Sequence, residues 1–243
     1  PNLAVADPET RLPYVAAQGV PFLQGTTFAG IVNRTKFYNG DYQKKYGDLV
    51  FKTRDNIREA IQLCAVACSQ GRELKDWELE SILAYFWELE WKMGDLDLSD
   101  SDYEMIAKAM QGGTKEKAEA ARLIHTKYLD YSPATFIAPP ENRREGNKLE
   151  GNVENGKLIY DLSCLHCHAD ERYSFFELDH SQYSFEFMDK HFPKYDRYSA
   201  YQVIRWGTSP ATGKKAYMPN YTLEKMSRQQ IEDLRAYIHA EAM

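Results

Sequence analysis

Cys164-Leu165-His166-Cys167-His168 is the stretch from which the rest of the chain is read. Its C-x-x-C-H spacing is the attachment sequence for c-type haem. Two thiols three residues apart can add to the two vinyl groups of a haem and hold it by thioether bonds. The next residue, His168, then lies under the ring and can give a nitrogen to the iron. Other uses of a cysteine pair fit less well. A zinc ribbon wants a second pair roughly 15–20 residues away, and Cys64 and Cys68 lie far upstream. A thioredoxin-like pair needs a βαβ context, and no alternating strand pattern surrounds this one. A structural disulfide in a processed extracytoplasmic protein is the remaining rival.

An iron held by His168 wants a ligand on its other face. Tyr217-Met218-Pro219 sits in a Gly/Pro-rich loop just ahead of the last helical pattern. It is far enough downstream for the chain to wrap round a haem. A thioether opposite an imidazole gives the His/Met ligation that raises the potential of cytochromes c. The rivals are Met188, Met226, His166, His180 and His191. Met226 precedes a helix start and reads as packing, and Met188 lies in the aromatic run Phe185-Glu186-Phe187-Met188, which reads as core.

From about residue 150 to the end the chain resembles the class I c-type cytochromes. The resemblance is carried by Gly156 and Tyr160 on a first helix, by Cys164, Cys167 and His168, by Met218-Pro219, and by a last helix ending Leu234-Arg235-Ala236-Tyr237-Ile238. It implies one covalent haem c, with His168 the proximal and Met218 the distal ligand. Arg205 and Trp206, ahead of the ligand loop, are candidates to hydrogen-bond haem propionates. Tyr217, Pro219 and Tyr221 flank the ligand loop and are expected to pack on the ring.

The composition permits this. The 243 residues are enough for about two domains, and 43% are apolar. Aromatics make up 13%, with 17 Tyr, which suits the lining of a flat apolar cofactor. The net charge is −6 and neither half is basic, which argues against a nucleic-acid partner. No run approaches the ~18 apolar residues of a membrane span, and no apolar signal core is present. Haem is attached outside the cytoplasm in the cytochromes this chain resembles. A periplasmic or otherwise extracytoplasmic location is therefore expected, with a signal peptide or anchor removed or omitted before Pro1, and membrane association through a partner or that anchor.

In order along the chain, residues 1–30 read as irregular, broken by Asp7-Pro8, Leu12-Pro13, Val20-Pro21 and Gly25. Asn39-Gly40-Asp41 signals a turn. Thr53 to Ala67 reads as a helix with Ile57, Ala60, Ile61 and Cys64 on one face and Thr53 as N-cap. Leu74 to Trp91 reads as a second helix, with Leu79, Ile82, Phe86 and Leu89 inward. Helices over 101–111 and 114–131 follow, the second capped by Thr114. Residues 132–152 read as linker. The haem domain then opens with a helix from Asn155-Gly156, continues through an irregular 169–200 and a short 201–206 helix, and closes with a helix started by a Ser227/Gln230 capping box.

The two halves echo each other: Leu79-Glu80-Ser81-Ile82-Leu83-Ala84-Tyr85-Phe86 aligns with Ile231-Glu232-Asp233-Leu234-Arg235-Ala236-Tyr237-Ile238. The expected architecture is thus mainly α, two cytochrome c-like helical modules in tandem. Residues 1–100 form a degenerate haem-less module with an irregular N-terminal segment, 101–150 a helical connector and linker, and 151–243 the haem domain. The first module has no C-x-x-C-H and no histidine. It has Cys64 and Cys68, and two near cysteines in an oxidising compartment usually pair, so a local disulfide is expected. The arrangement resembles the two-module cytochromes of sulfur oxidation, the thiosulfate dehydrogenases and their relatives, through Gly71-Arg72-Glu73-Leu74 and Ala84-Tyr85.

Two functions follow. The first is a monohaem electron carrier between redox partner proteins, as a subunit of a larger extracytoplasmic or membrane-bound respiratory or photosynthetic assembly, the haem-less module serving for docking or assembly. Two strong axial ligands leave no open iron site, so the expectation is transfer rather than catalysis. The second is a haem-containing sulfur-compound oxidoreductase that uses Cys64 or Cys68 as nucleophile.

Overall fold

The chain was analysed as a computed structural model, which describes residues 28–69, 71–128, 134–168, 184–208 and 218–243, the side chain of His166 excepted. Residues 1–27, most of the segment expected to be irregular, and Tyr217 and His180 lie outside the described residues. Among the described residues the secondary structure is helical throughout, as the sequence predicts. None of these helices is long and apolar enough to cross a membrane.

The described residues divide into two compact units, one spanning 28–67 and 71–128, the other chiefly 134–243. In the first unit, α1 is Tyr42–Tyr46, α2 is Ile57–Leu63, α3 is Asp76–Glu88, α4 is Asp100–Gln111 and α5 is Thr114–His125. Asn56, not Thr53, caps α2, accepting from the N–H groups of Arg58 and Glu59. Thr53 instead is buried and donates its hydroxyl to the Val50 carbonyl at 2.8 Å. The core is Val50, Ala60, Leu63, Leu79, Leu83 and Phe86. Asn33 closes its edge, exchanging two hydrogen bonds with the backbone of Trp91 at 2.8 and 3.2 Å. The α4 and α5 helices, expected in a connector over 101–150, belong to this unit. Lys127 pairs with Asp102 between them at 3.3 Å. Gly113 rather than Thr114 occupies the cap position of α5.

In the second unit, α6 is Val153–Ser163, α7 is Leu165–His168, α8 is Phe185–His191, α9 is Ala200–Trp206 and α10 is Arg228–Glu241. The core includes Ile159, Tyr160, Phe192, Tyr201, Leu234 and Ile238, each of these six at most 4% exposed. The capping box at α10 forms as predicted, Ser227 N–H donating to Gln230 at 2.8 Å and Gln230 N–H to Ser227 at 3.1 Å. The α8 helix falls where irregular chain is expected, with Ser184 as its cap.

Residues 134–150, expected as linker, are bound into this unit by polar contacts. Arg143 donates to the Lys194 carbonyl (2.7 Å), the Asp196 carbonyl (3.2 Å) and the Ser199 hydroxyl (3.0 Å). Asn147 donates twice to Glu232, at 2.7 and 2.8 Å. That carboxylate is 4% exposed and also accepts from the Tyr201 hydroxyl at 2.8 Å. Burial of a charge this deep requires several such donors.

The internal echo is only partial in three dimensions. Leu79 and Phe86 are buried like Ile231 and Ile238, but Tyr85 is 60% exposed where Tyr237 is 7% exposed. The reason lies in what crosses each helix. In the second unit α6 packs along α10 and covers Tyr237. In the first unit α3 meets α2 and the short 3-10 turn Ile31–Asn33, which leave Tyr85 open.

Candidate functional site

The site begins where α6 crosses α10. A Cβ on Gly156 would collide with the Asp233 carbonyl oxygen and lie 2.8 Å from the Tyr237 Cβ. Only glycine lets the two backbones approach this closely. Asp233 then ties down the start of α6, accepting from Asn152 N–H at 2.9 Å and from the Asn155 amide. With α6 held at its first turns, its far end delivers Cys164 into the core at 9% exposure.

The chain continues helically through the motif. Cys167 N–H and His168 N–H both donate to the Cys164 carbonyl, at 3.1 and 2.9 Å. Residues three apart on such a turn share a face, which puts the two thiols side by side. Neither forms a disulfide here. Cys167 and His168 are half-buried, and the His168 Nδ1 is sealed from solvent.

Met218 comes from a different part of the chain and packs against the same apolar cluster as Cys164. Its backbone is held by Thr208: Thr208 N–H donates to the Met218 carbonyl at 2.9 Å, and Met218 N–H donates to the Thr208 hydroxyl oxygen at 2.8 Å. Gly207, at φ +67°, makes the turn that brings Thr208 there. Tyr221 follows, its N–H on the Ile204 carbonyl at 2.8 Å and its hydroxyl donating to the Ser163 carbonyl at 3.0 Å. That last bond links the Met218 segment to the residue before Cys164. Pro219 is exposed.

Arg205 is 2% exposed. One terminal nitrogen, Nη1, donates to the backbone carbonyls of Tyr221 (3.2 Å), Thr222 (3.2 Å) and Met226 (2.5 Å). It therefore clamps the segment that carries Met218 onto α9. The other, Nη2, is buried with no hydrogen-bond partner among the described residues. Trp206 uses its indole N–H on the Ile137 carbonyl at 3.3 Å, and its ring lies 4.8 Å from that of Phe136. Met226, a rival ligand by sequence, is 1% exposed within the core, and Met188 packs at the cluster's edge.

The electrostatics are those of an apolar pocket. Burial, then the neighbouring Cys167, pushes the Cys164 thiol up to about 12. Burial also raises Cys167. Burial followed by Cys164 pushes the Tyr221 hydroxyl up to about 12, its bond to Ser163 opposing. Burial and then Arg228 bring Arg205 down to about 10, with Glu224 opposing. Every one of these shifts disfavours the charged form, the mark of low local dielectric.

These residues fit a covalently held haem. The two thiols share one face and are not consumed in a disulfide. The imidazole follows directly, the thioether faces the same cluster, and a buried guanidinium nitrogen lacks an acceptor. Among the described residues no group of three or more His, Cys, Asp or Glu gathers as a metal cluster.

Sequence reasoning missed Thr208 and the linking role of Tyr221. A Gly-Thr pair ahead of a loop is the only trace Thr208 leaves. Cys64 (exposed) and Cys68 (half-buried) lie on a π-helical turn, Cys64–Cys68. Both are thiols, so the local disulfide expected of them is not formed here. Side chains four apart on a helical turn have Cβ atoms roughly 5–6 Å apart, against roughly 3.5–4.5 Å in a disulfide.

No family model, no curated protein and no solved structure matches this chain. The likeness to c-type cytochromes rests on the residues described above.

Proposed function

We infer that the protein is a monohaem c-type cytochrome that passes single electrons between protein partners. The observation that carries this reading is the meeting of Cys164 and Met218, remote in sequence, on one apolar cluster beside Cys167 and His168. Cys164 and Cys167 would hold haem c through thioethers, and His168 and Met218 would ligate its iron. Bound there, the haem supplies the one-electron couple.

The chain's own residues do the rest. The α6–α10 crossing sets the height of the cysteine turn. Thr208, Tyr221 and Arg205 fix the backbone that carries Met218, so that segment is positioned before any ligand arrives. The apolar surroundings exclude water, a lever on reduction potential together with ligand identity. Arg205 Nη2 is placed to take an anionic oxygen such as a propionate. Trp206 already donates within the chain, which favours a packing role for it.

On this reading the second unit is a class I cytochrome domain and the first a haem-less companion for docking or assembly, in a periplasmic or other extracytoplasmic complex. A pyridine haemochrome assay on protein matured by a haem-attachment system tests it. One covalent haem per chain is expected; none would refute it.

A second reading has one observation in its favour, the exposed Cys64 thiol. It makes the protein a haem-containing sulfur-compound oxidoreductase with Cys64 or Cys68 as nucleophile. Turnover with thiosulfate that vanishes in both Cys64→Ser and Cys68→Ser would favour it.

A further inference from the structure

Asn-Gly occurs twice in the chain, at Asn39-Gly40 and at Asn155-Gly156. The pair carries a latent reaction. A deprotonated glycine nitrogen can attack the side-chain amide carbon of the preceding asparagine, and glycine has no Cβ to obstruct the approach. The two copies sit in opposite settings.

Asn155-Gly156 is locked. Gly156 is buried in α6, and its N–H donates to the Asn152 carbonyl at 2.9 Å. The Asn155 amide donates to Asp233. Both reacting groups are held, and the glycine nitrogen is kept from water.

Asn39-Gly40 lacks these restraints. Gly40 is exposed, and its N–H makes no hydrogen bond among the described residues. The Asn39 Nδ2 is buried with no hydrogen-bond partner among them, so nothing fixes that amide. The turn is also strained. Tyr38 takes φ +50° beside Gly40 at φ +60°, and the left-handed region is rare for a bulky residue. Its surroundings keep Tyr38 there. The hydroxyl donates to the Ala60 carbonyl at 3.3 Å, and the ring lies 5.3 and 6.2 Å from those of Tyr42 and Tyr46. Strain of this kind persists only where the surrounding structure imposes it. A longer main chain between Tyr38 and α1 would relax it.

We propose that Asn39 is a site of spontaneous deamidation, with the Gly40 nitrogen as nucleophile and isoaspartate as the main product. Gly40 N–H gives its proton to hydroxide, and the nitrogen bonds to the Asn39 Cγ. The side-chain nitrogen leaves as ammonia, and a five-membered succinimide remains. Water then opens the ring at either carbonyl, giving aspartate or isoaspartate. Either product adds one negative charge to the first unit, and isoaspartate also adds one methylene to the main chain. The site lies wholly within the first unit and does not rest on the haem reading.

Incubation of the full-length protein at pH 8 and 37 °C, sampled over weeks and read by peptide mass mapping, tests this. The peptide that holds Asn39 should gain one mass unit at least tenfold faster than the peptide that holds Asn155. In urea-unfolded protein the two rates should agree within threefold, because both asparagines precede glycine. Isoaspartate should exceed aspartate at position 39. A folded protein in which Asn39 deamidates no faster than Asn155 would overturn the assignment. So would a tenfold difference that survives in urea, which would place the cause in the local sequence and not in the fold. An excess of aspartate over isoaspartate would overturn the product.

Discussion

Replacing Gly156 by alanine tests the helix crossing on which the site depends. On an exposed helix this change stabilises by about 1 kcal/mol, because glycine is the poorer helix former. Here the new methyl would overlap the Asp233 carbonyl, whose carbon lies 2.6 Å away, and would press on the Tyr237 Cβ at 2.8 Å. The obstacle is backbone, which cannot swing aside as a flexible side chain would. α6 and α10 must separate by about an ångström, loosening Ile159, Tyr160, Leu234 and Tyr237 together. Overpacking of this kind costs typically about 1–3 kcal/mol, occasionally more. A clash with rigid backbone belongs at the upper end of that range, about 3 kcal/mol, so with the propensity gain of about 1 kcal/mol subtracted a net loss of about 2 kcal/mol is expected, or roughly 8–16 °C in the Tm of a unit of this size. Thermal and urea unfolding followed by far-UV circular dichroism measure it. Gly94→Ala is the control, since a Cβ there meets nothing within 4 Å, and should shift stability by less than about 0.5 kcal/mol. A Gly156→Ala protein as stable as the unaltered one would refute the close crossing.

Met218→Ala should retain covalent haem yet lower its reduction potential by a measurable part of the roughly 0.8 V that axial ligands span; an unchanged potential in a redox titration would exclude Met218 as ligand. In haem-free protein at pH 8, alkylation followed by peptide mass mapping should label exposed Cys64 well before buried Cys164, whose raised pKa keeps it a thiol. Tyr221 ionises near 10 when unfolded and about 12 when folded. The unfolded state therefore binds fewer protons in that window, and stability falls as pH rises from 10 to 12. Tyr221→Phe should flatten part of that fall in urea midpoints measured across the window. Glu232→Leu strands the donors of Asn147 and Tyr201 in a buried setting and should cost about 3 kcal/mol by urea denaturation.

Much of the local structure is legible in the order of residues. The Ser227/Gln230 capping box, the inward Ile231, Leu234 and Ile238, and the helical turn through Cys164, Cys167 and His168 all depend on residues three or four apart. Spacing along one helix is written directly in the order of residues. The packing role of Met226 was equally readable, from its place beside a helix start. Thr53 misled because the residue that caps α2 is decided by where the backbone turns, and the chain turns at Asn56.

The chain's order of residues thus determined its helical class, the C-x-x-C-H turn and the glycine at the α6–α10 crossing. Tertiary structure alone decided the remainder. It set Thr208 against Met218 and bound Tyr221 to Ser163. It turned Arg205 into a clamp on three carbonyls, drew residues 134–150 into the second unit, and left Tyr85 exposed where Tyr237 is covered. Each of these joins residues distant in sequence. Such pairings are selected by which surfaces bury together, and no local propensity encodes that choice.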